Sequence, residues 1–188
     1  MASTFPTSLD TFTNPTATSL LTSPSHSLSH SDLNDAVEAL EAKVAIGNTV
    51  LGVYQAYTPT FTNLTVGNGT LAAQYCTVNK FVHTFGSLTF GSTTVIGAST
   101  PFFTLPVVTV AAEMGASGMA FGFATYINSA TSATVKGTVN AIGNTTGAVL
   151  WVATTSGTYE GQTGPTATVP HTWATGDIIR WNIMYKAA

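Results

Sequence analysis

His26 and His30 stand four residues apart in SHSLSH, a spacing that puts two imidazoles on one face if the backbone is helical. Imidazole nitrogen binds first-row transition metals well, but a site needs at least a third donor. Threefold association of the chain would bring six such rings together near an axis. Otherwise the pair reads as polar residues just ahead of a helix cap, and the sequence calls for no metal and no cofactor. His83 and His171 share the C-terminal region with three acids, Glu113, Glu160 and Asp177. No G-x-S-x-G elbow accompanies them. Three acids meeting in space would permit paired-carboxylate glycoside cleavage, yet isolated acids in such a region are mostly solvated turn residues, and Asp177 in ATGD reads as one. An enzyme is therefore not expected. Cys76 follows Tyr75 in a strand-like run without a neighbouring cation, the setting of a buried, inert thiol. Tyr159 and Trp173 border the polar stretches TYEGQTGP and HTWATGD. Both are candidates for stacking on a sugar, with Trp173 as a cap on the core the preferred alternative.

The composition narrows the setting for these residues. Only 7% of the 188 residues are charged, against about 25% in an ordinary soluble domain. Five Lys and Arg against eight Asp and Glu leave a net charge of −3, too few cations to neutralise nucleic-acid phosphates. A hydrophobic content of 44% excludes a chain that is disordered throughout. No run approaches the roughly 18 apolar residues of a membrane span. MASTFPTSLD has neither a basic stretch nor an apolar core, so no secretory signal is expected. A single cysteine excludes an internal disulfide framework and a cysteine-based zinc site. Hydroxyl replaces charge: 35 residues are Thr, which favours strands and wets an outward face without charge.

Three kinds of segment follow one another. Residues 1–30 carry Pro6, Pro15 and Pro24 among dense Ser and Thr, which prevents a regular helix. An extended arm is expected there, and its recurring Phe5, Leu9, Phe12, Leu20 and Leu21 suit docking on a partner surface. Residues 31–47 read as one short helix, with Ser31 or Asp32 as its cap and Gly47 just past its end. Leu33, Val37, Leu40 and Val44 follow a four-three-four spacing, the seam of a coiled coil, so copies of the chain are expected to pack on one another. Two heptads do not fix how many copies. After a linker at 48–56, residues 57–188 read as eight or nine strands. Gly67–Asn68–Gly69 and Asn79–Lys80 are expected turns. Ile179, Trp181, Ile183 and Tyr185 share one face of the last strand. The fold expected is mainly β, a jelly-roll-like antiparallel sandwich preceded by the arm and the coiled-coil helix.

The opening FPTSLDTFTNPTAT with SPSHSLSHSDLNDAVEALEAKVAIG resembles the N-terminal segment of tailed-phage fibre and minor structural proteins, especially those of phages infecting actinobacteria. YTPTFTNLTVGNGTLAAQYCTVNKFVHTFGSLTFGSTT and the closing PHTWATGDIIRWNIMY are similar to the β domain of such proteins. The resemblance spans nearly the whole chain and brings no catalytic residues. It implies a virion-anchoring arm, a short helical bundle that is commonly trimeric, and a projecting β domain. Because this chain passes directly from helix to one β module, a short spike on the head or tail is expected, not a long fibre. Its partners would be two further copies, other virion proteins and a host-surface glycan. The alternatives are a capsid decoration protein without host binding and, in another class, a spike-associated glycan-degrading enzyme.

Overall fold

The computed structural model describes residues 26–44, 52–109, 119–142, 146–156 and 159–188. The chain falls into two units, Met1–Val53 and Tyr54–Ala188. In the first, α1 runs from His26 to Val44 and is about 28 Å long at 1.5 Å per residue. It begins before the expected boundary at 31, so 26–30 are helical and not part of an extended arm. Ser31 and Asp32 lie inside the helix and do not cap it. The physical reason is permissive: past Pro24 nothing in SHSLSH breaks a helix, and a proline just upstream suits a helix start. The anchoring residues Phe5, Leu9, Phe12, Leu20 and Leu21, and Gly47, lie outside the described residues.

The second unit is mainly β. Its strands are β1 (Gln55–Ala56), β2 (Phe61–Thr62), β3 (Leu64–Thr65), β4 (Thr70–Val78), β5 (Phe81–Thr89), β6 (Val95–Ile96), β7 (Phe102–Thr104), β8 (Met119–Ile127), β9 (Thr134–Ala141), β10 (Gly147–Ser156), β11 (Tyr159–Thr163) and β12 (Ile178–Lys186). Twelve strands among the described residues exceed the eight or nine expected, because several pieces of two or three residues pair too briefly to show alternation. Gln55 and Ala56 pair with Tyr75 and Gln74, so this part of the expected linker belongs to the sheet. Tyr159–Thr163, expected in a polar loop, runs antiparallel to β10.

Hydrogen bonding orders the large sheet β1-β4-β5-β12-β8-β9-β10-β7-β2, with β11 beside β10, and β3 pairs with β6 separately. All pairings are antiparallel. The sheet curls upon itself into a β-sandwich-like fold. The Trp181 ring on β12 lies 5.0 Å from that of Phe103 on β7 and 5.9 Å from that of Phe61 on β2, although both strands stand at the far end of the ladder. The path ends in β1 and β2, each two residues long, and the five-residue β11 forms a further edge beside β10.

Period-two alternation builds the core. On β12, Ile179, Trp181, Ile183 and Tyr185 are all buried, as their spacing predicts. Val82 and Leu88 on β5, Tyr126 on β8, Val139 on β9, Leu150 on β10 and Phe103 on β7 are buried with them. Each aliphatic of this size stabilises the fold by about 1.5–3 kcal/mol relative to its exposed state. Buried hydroxyls find partners: Tyr126 donates to the Trp151 carbonyl at 3.0 Å and Tyr185 to the Val107 carbonyl at 2.9 Å. Burial pushes both phenols above their usual range, so they stay neutral donors.

One turn and one glycine shape the part of the sheet that matters below. Asn79, at φ 55°, closes the two-residue β4–β5 hairpin between Val78 and Phe81, where a left-handed residue suits Asn. At Gly86 on β5, a Cβ would stand 2.7 Å from Trp181 Cε2 and 2.8 Å from the Ala73 Cβ. The indole can lie against the sheet only because that position is glycine.

Candidate functional site

The same alternation that sends Val82, Thr84 and Leu88 inward turns His83, Phe85 and Ser87 outward. The register then sets them beside distant residues. Gln74 faces Phe85, Phe85 faces Asn182, and Asn182 faces Phe123. Two residues along, Ala72, Ser87, Arg180 and Thr125 form a second row. An open groove of about 750 Å³ runs over these rows and reaches Ala56–Thr58 beside β4. Phe85 and Phe123 are separated by one strand, hence by roughly 9.5 Å at the usual interstrand spacing.

Phe123 is 75% exposed in the middle of a sheet. Scattered exposed leucines need no explanation, but a large aromatic standing in water just past a register shift at Ala120–Gly122 is informative. Around it stand two amides, Gln74 and Asn182, two hydroxyls, Ser87 and Thr125, and the Arg180 guanidinium. Aromatic faces with planar polar groups offer stacking and directional hydrogen bonds together. That combination suits a ring with one apolar face and a polar periphery.

A short relay stiffens one end of the groove. The Tyr54 hydroxyl lies 2.6 Å from His83 Nδ1, and His83 Nε2 lies 3.1 Å from Asn182 Oδ1. The carboxamide oxygen accepts, so Nε2 carries the proton, and Nδ1 accepts from the tyrosine. The Tyr54 ring meets Phe85 edge-on at 5.2 Å. Cys76, opposite His83 on β4, is a buried free thiol, as its sequence setting suggests.

The residues singled out in the sequence occupy other places. Trp173 stacks on Phe90 with ring centroids 4.5 Å apart and planes 10° from parallel. Its indole N–H donates to the Thr166 carbonyl at 2.9 Å, and it packs against the core. Trp173 therefore caps the edge of the core, the alternative preferred from its sequence, and remains half-buried. Tyr159 is placed on β11 by its backbone pairing with Ser156; its side chain lies outside the described residues, as do that of Glu160 and all of Glu113.

Asp177 is not a solvated turn residue. Its side chain is 1% exposed. Oδ1 accepts from the Ser129 N–H at 2.8 Å and the Ser129 hydroxyl at 2.9 Å, and Oδ2 accepts from the Ala174 N–H at 2.8 Å. His171 Nε2 lies 3.1 Å from Oδ2. Burial alone would push this carboxyl up, but the Ser129 and Ala174 donors and the His171 ring outweigh it and hold it below the usual carboxylate range. The carboxylate ties the β8–β9 loop to the turn that precedes β12.

On α1, Leu33, Val37 and Leu40 are 56%, 44% and 51% exposed, and Val44 ends the helix. His26 and His30 are exposed on the same helix, with Nε2 atoms 3.1 Å apart. Among the described residues no three His, Cys, Asp or Glu side chains of one chain gather as a metal site. No helix among them is long and apolar enough to cross a membrane.

Sequence pattern on β5 alone would have turned His83, Phe85 and Ser87 outward. Their pairing with Asn182 and Arg180 needs the fold. The molecule so defined is a mainly β protein whose curled antiparallel sheet bears an open groove lined by aromatic and polar side chains. Comparison with protein-family models, with curated proteins and with solved structures returns no match.

Proposed function

We propose that this chain is a structural component of a tailed-phage virion, a short homotrimeric spike on the head or tail surface. In this reading the segment before α1 anchors it to other virion proteins through Phe5, Leu9, Phe12, Leu20 and Leu21. The α1 helices form the stalk, and jelly-roll-like β units project from it. The observation that carries the reading is the exposed seam of α1. A helix such as this 19-residue one draws most of its stability from packing an apolar face, and Leu33, Val37 and Leu40 stand about half exposed or more in the single chain. Their heptad spacing matches a copy of the same helix. Val at a with Leu at d favours two strands in isolated coiled coils, so the threefold number draws on the resemblance and on a contribution from the β units. Size-exclusion chromatography with light scattering tests it: three chain masses are expected, and one chain mass overturns the stalk. Immunogold labelling of intact particles tests the virion setting, and unlabelled particles overturn it.

In the same reading the groove around Phe123 binds a host-surface glycan by stacking and hydrogen bonding, without cleaving it. Asp177 lies outside the groove and is unavailable for cleavage, because both its oxygens are engaged in holding two loops together. A glycan array probed with the full chain and with Phe123→Ala tests this. Signals shared equally by both proteins would remove the groove from recognition.

A further inference from the structure

We infer that His26 and His30 from three copies of α1 hold one divalent first-row transition-metal ion on the axis of the stalk. The inference rests on the self-association of α1 proposed above. Because the helix starts at His26, the heptad of Leu33, Val37 and Leu40 extends backwards without interruption. Counting back from Leu33 at d, His30 falls at a and His26 at the preceding d. The first two layers of the seam are therefore imidazole, where the rest is aliphatic.

Geometry supports one ion shared by both layers. The two Nε2 atoms stand 3.1 Å apart, within hydrogen-bond distance of each other in a single chain, and the rings meet edge-on, 4.4 Å between centroids; with both rings neutral, small ring rotations would turn both lone pairs toward a shared ion. With metal–nitrogen bonds of about 2.1 Å, donors at a right angle stand about 3.0 Å apart and tetrahedral donors about 3.4 Å. The observed separation is nearer the right angle, the angle between neighbours in an octahedron. Two donors from each of three chains complete such an octahedron, with a single chain supplying only two of the six. Imidazole selects Ni²⁺, Co²⁺ or Zn²⁺ over Mg²⁺ and Ca²⁺, which prefer oxygen. Neither the first-turn dipole nor a neighbouring acid helps: the positive end of the helix opposes a cation, an effect that is salt-screened and weak beside coordination, and no acid lies in the first turn.

The test uses the untagged full chain, stripped with EDTA and then titrated with Ni²⁺ and Co²⁺. Bound metal is measured by elemental analysis and mass by light scattering before and after. One ion per three chains, with the weak octahedral absorption of Co²⁺, is the expected result. Losing an outer-sphere partner already lowers metal affinity roughly 10–100-fold, so His26→Ala and His30→Ala should each lower it at least that much. A trimer that takes up no metal, or whose uptake survives both substitutions, overturns the site and leaves the trimer standing. Two chains per ion with intense tetrahedral Co²⁺ absorption overturns the sixfold site. A monomer with and without metal overturns the site and the stalk together.

Discussion

Replacing Asp177 with Asn removes one charge and one acceptor while keeping the shape of the side chain. If the amide oxygen keeps the Ser129 side, its NH₂ faces the Ala174 N–H, donor against donor. His171 can adapt, since a neutral imidazole nitrogen can accept instead of donate. The Ala174 N–H cannot, and a buried donor left without a partner costs about 1–3 kcal/mol. The two bonds from Ser129 also lose their charge assistance, and bonds to charged groups contribute about 1.5–3 kcal/mol against about 1 for neutral ones. At the low ends of these ranges the sum is a loss of about 2 kcal/mol. For a unit spanning Tyr54–Ala188, each kcal/mol moves Tm by roughly 3–5 °C, so the variant should melt on the order of 10 °C lower at pH 7. The pH dependence separates this cause from simple misfit. Because the folded carboxyl lies below its ordinary value, its stabilisation is complete above the unfolded value of about 3.9 and is lost as pH falls through the folded one. As pH falls below about 4 the parent should therefore lose more Tm than Asp177→Asn, and the two curves should approach each other. Scanning calorimetry at half-unit steps reads both effects. A variant that melts with the parent at pH 7, or falls in parallel with it on acidification, would refute the role assigned to the carboxylate.

Leu40→Asp puts a charge into the exposed seam of α1 and should convert the proposed oligomer to single chains in light scattering, with the β unit's circular dichroism unchanged. Phe123→Ala should lower glycan-array signal about tenfold, since an aromatic contact contributes up to about 1.5 kcal/mol beyond its area. Its Tm should stay within about 2 °C of the parent, because a side chain 75% exposed holds little of the fold. Arg180→Ala should weaken binding of acidic glycans more than neutral ones on the same array. Gly86→Ala should lower the urea midpoint by about 1–3 kcal/mol equivalent, because its Cβ would meet the Trp181 ring and the Ala73 side chain.

Local pattern carried much of the β unit. Alternation on β12 pointed to Ile179, Trp181, Ile183 and Tyr185 as a buried face, and Asn79–Lys80 marked the hairpin. These features depend on neighbours in sequence. The groove does not: Phe85 meets Asn182 and Phe123 through ladders that join distant segments, and no local signal announces a pairing of that range. Asp177 shows the same division. ATGD does form a turn, with the Asp177 N–H donating to the Ala174 carbonyl at 3.1 Å, but its burial depends on Ser129, in another loop. The helix was legible from residue 31 onward, where apolar spacing begins. Its first turns carry serine and histidine, whose weak preference left the start unmarked.

β12 occupies the middle of the ladder yet comes last among the strands. Thr89 has to wait for Ile178, and Phe81 for Lys186; Ile127 waits for the same strand from the other side. During synthesis the β4–β5 hairpin and the β8–β9–β10 meander can each form from local contacts, but each then presents an open edge where β12 belongs. Such edges are adhesive, and a chain whose neighbours are held close would present several at once. In the proposed oligomer, chains that pair α1 before β12 is in place would risk exchanging that strand between copies. The yield of correctly closed units should then depend on how soon β12 follows β10 into the sheet.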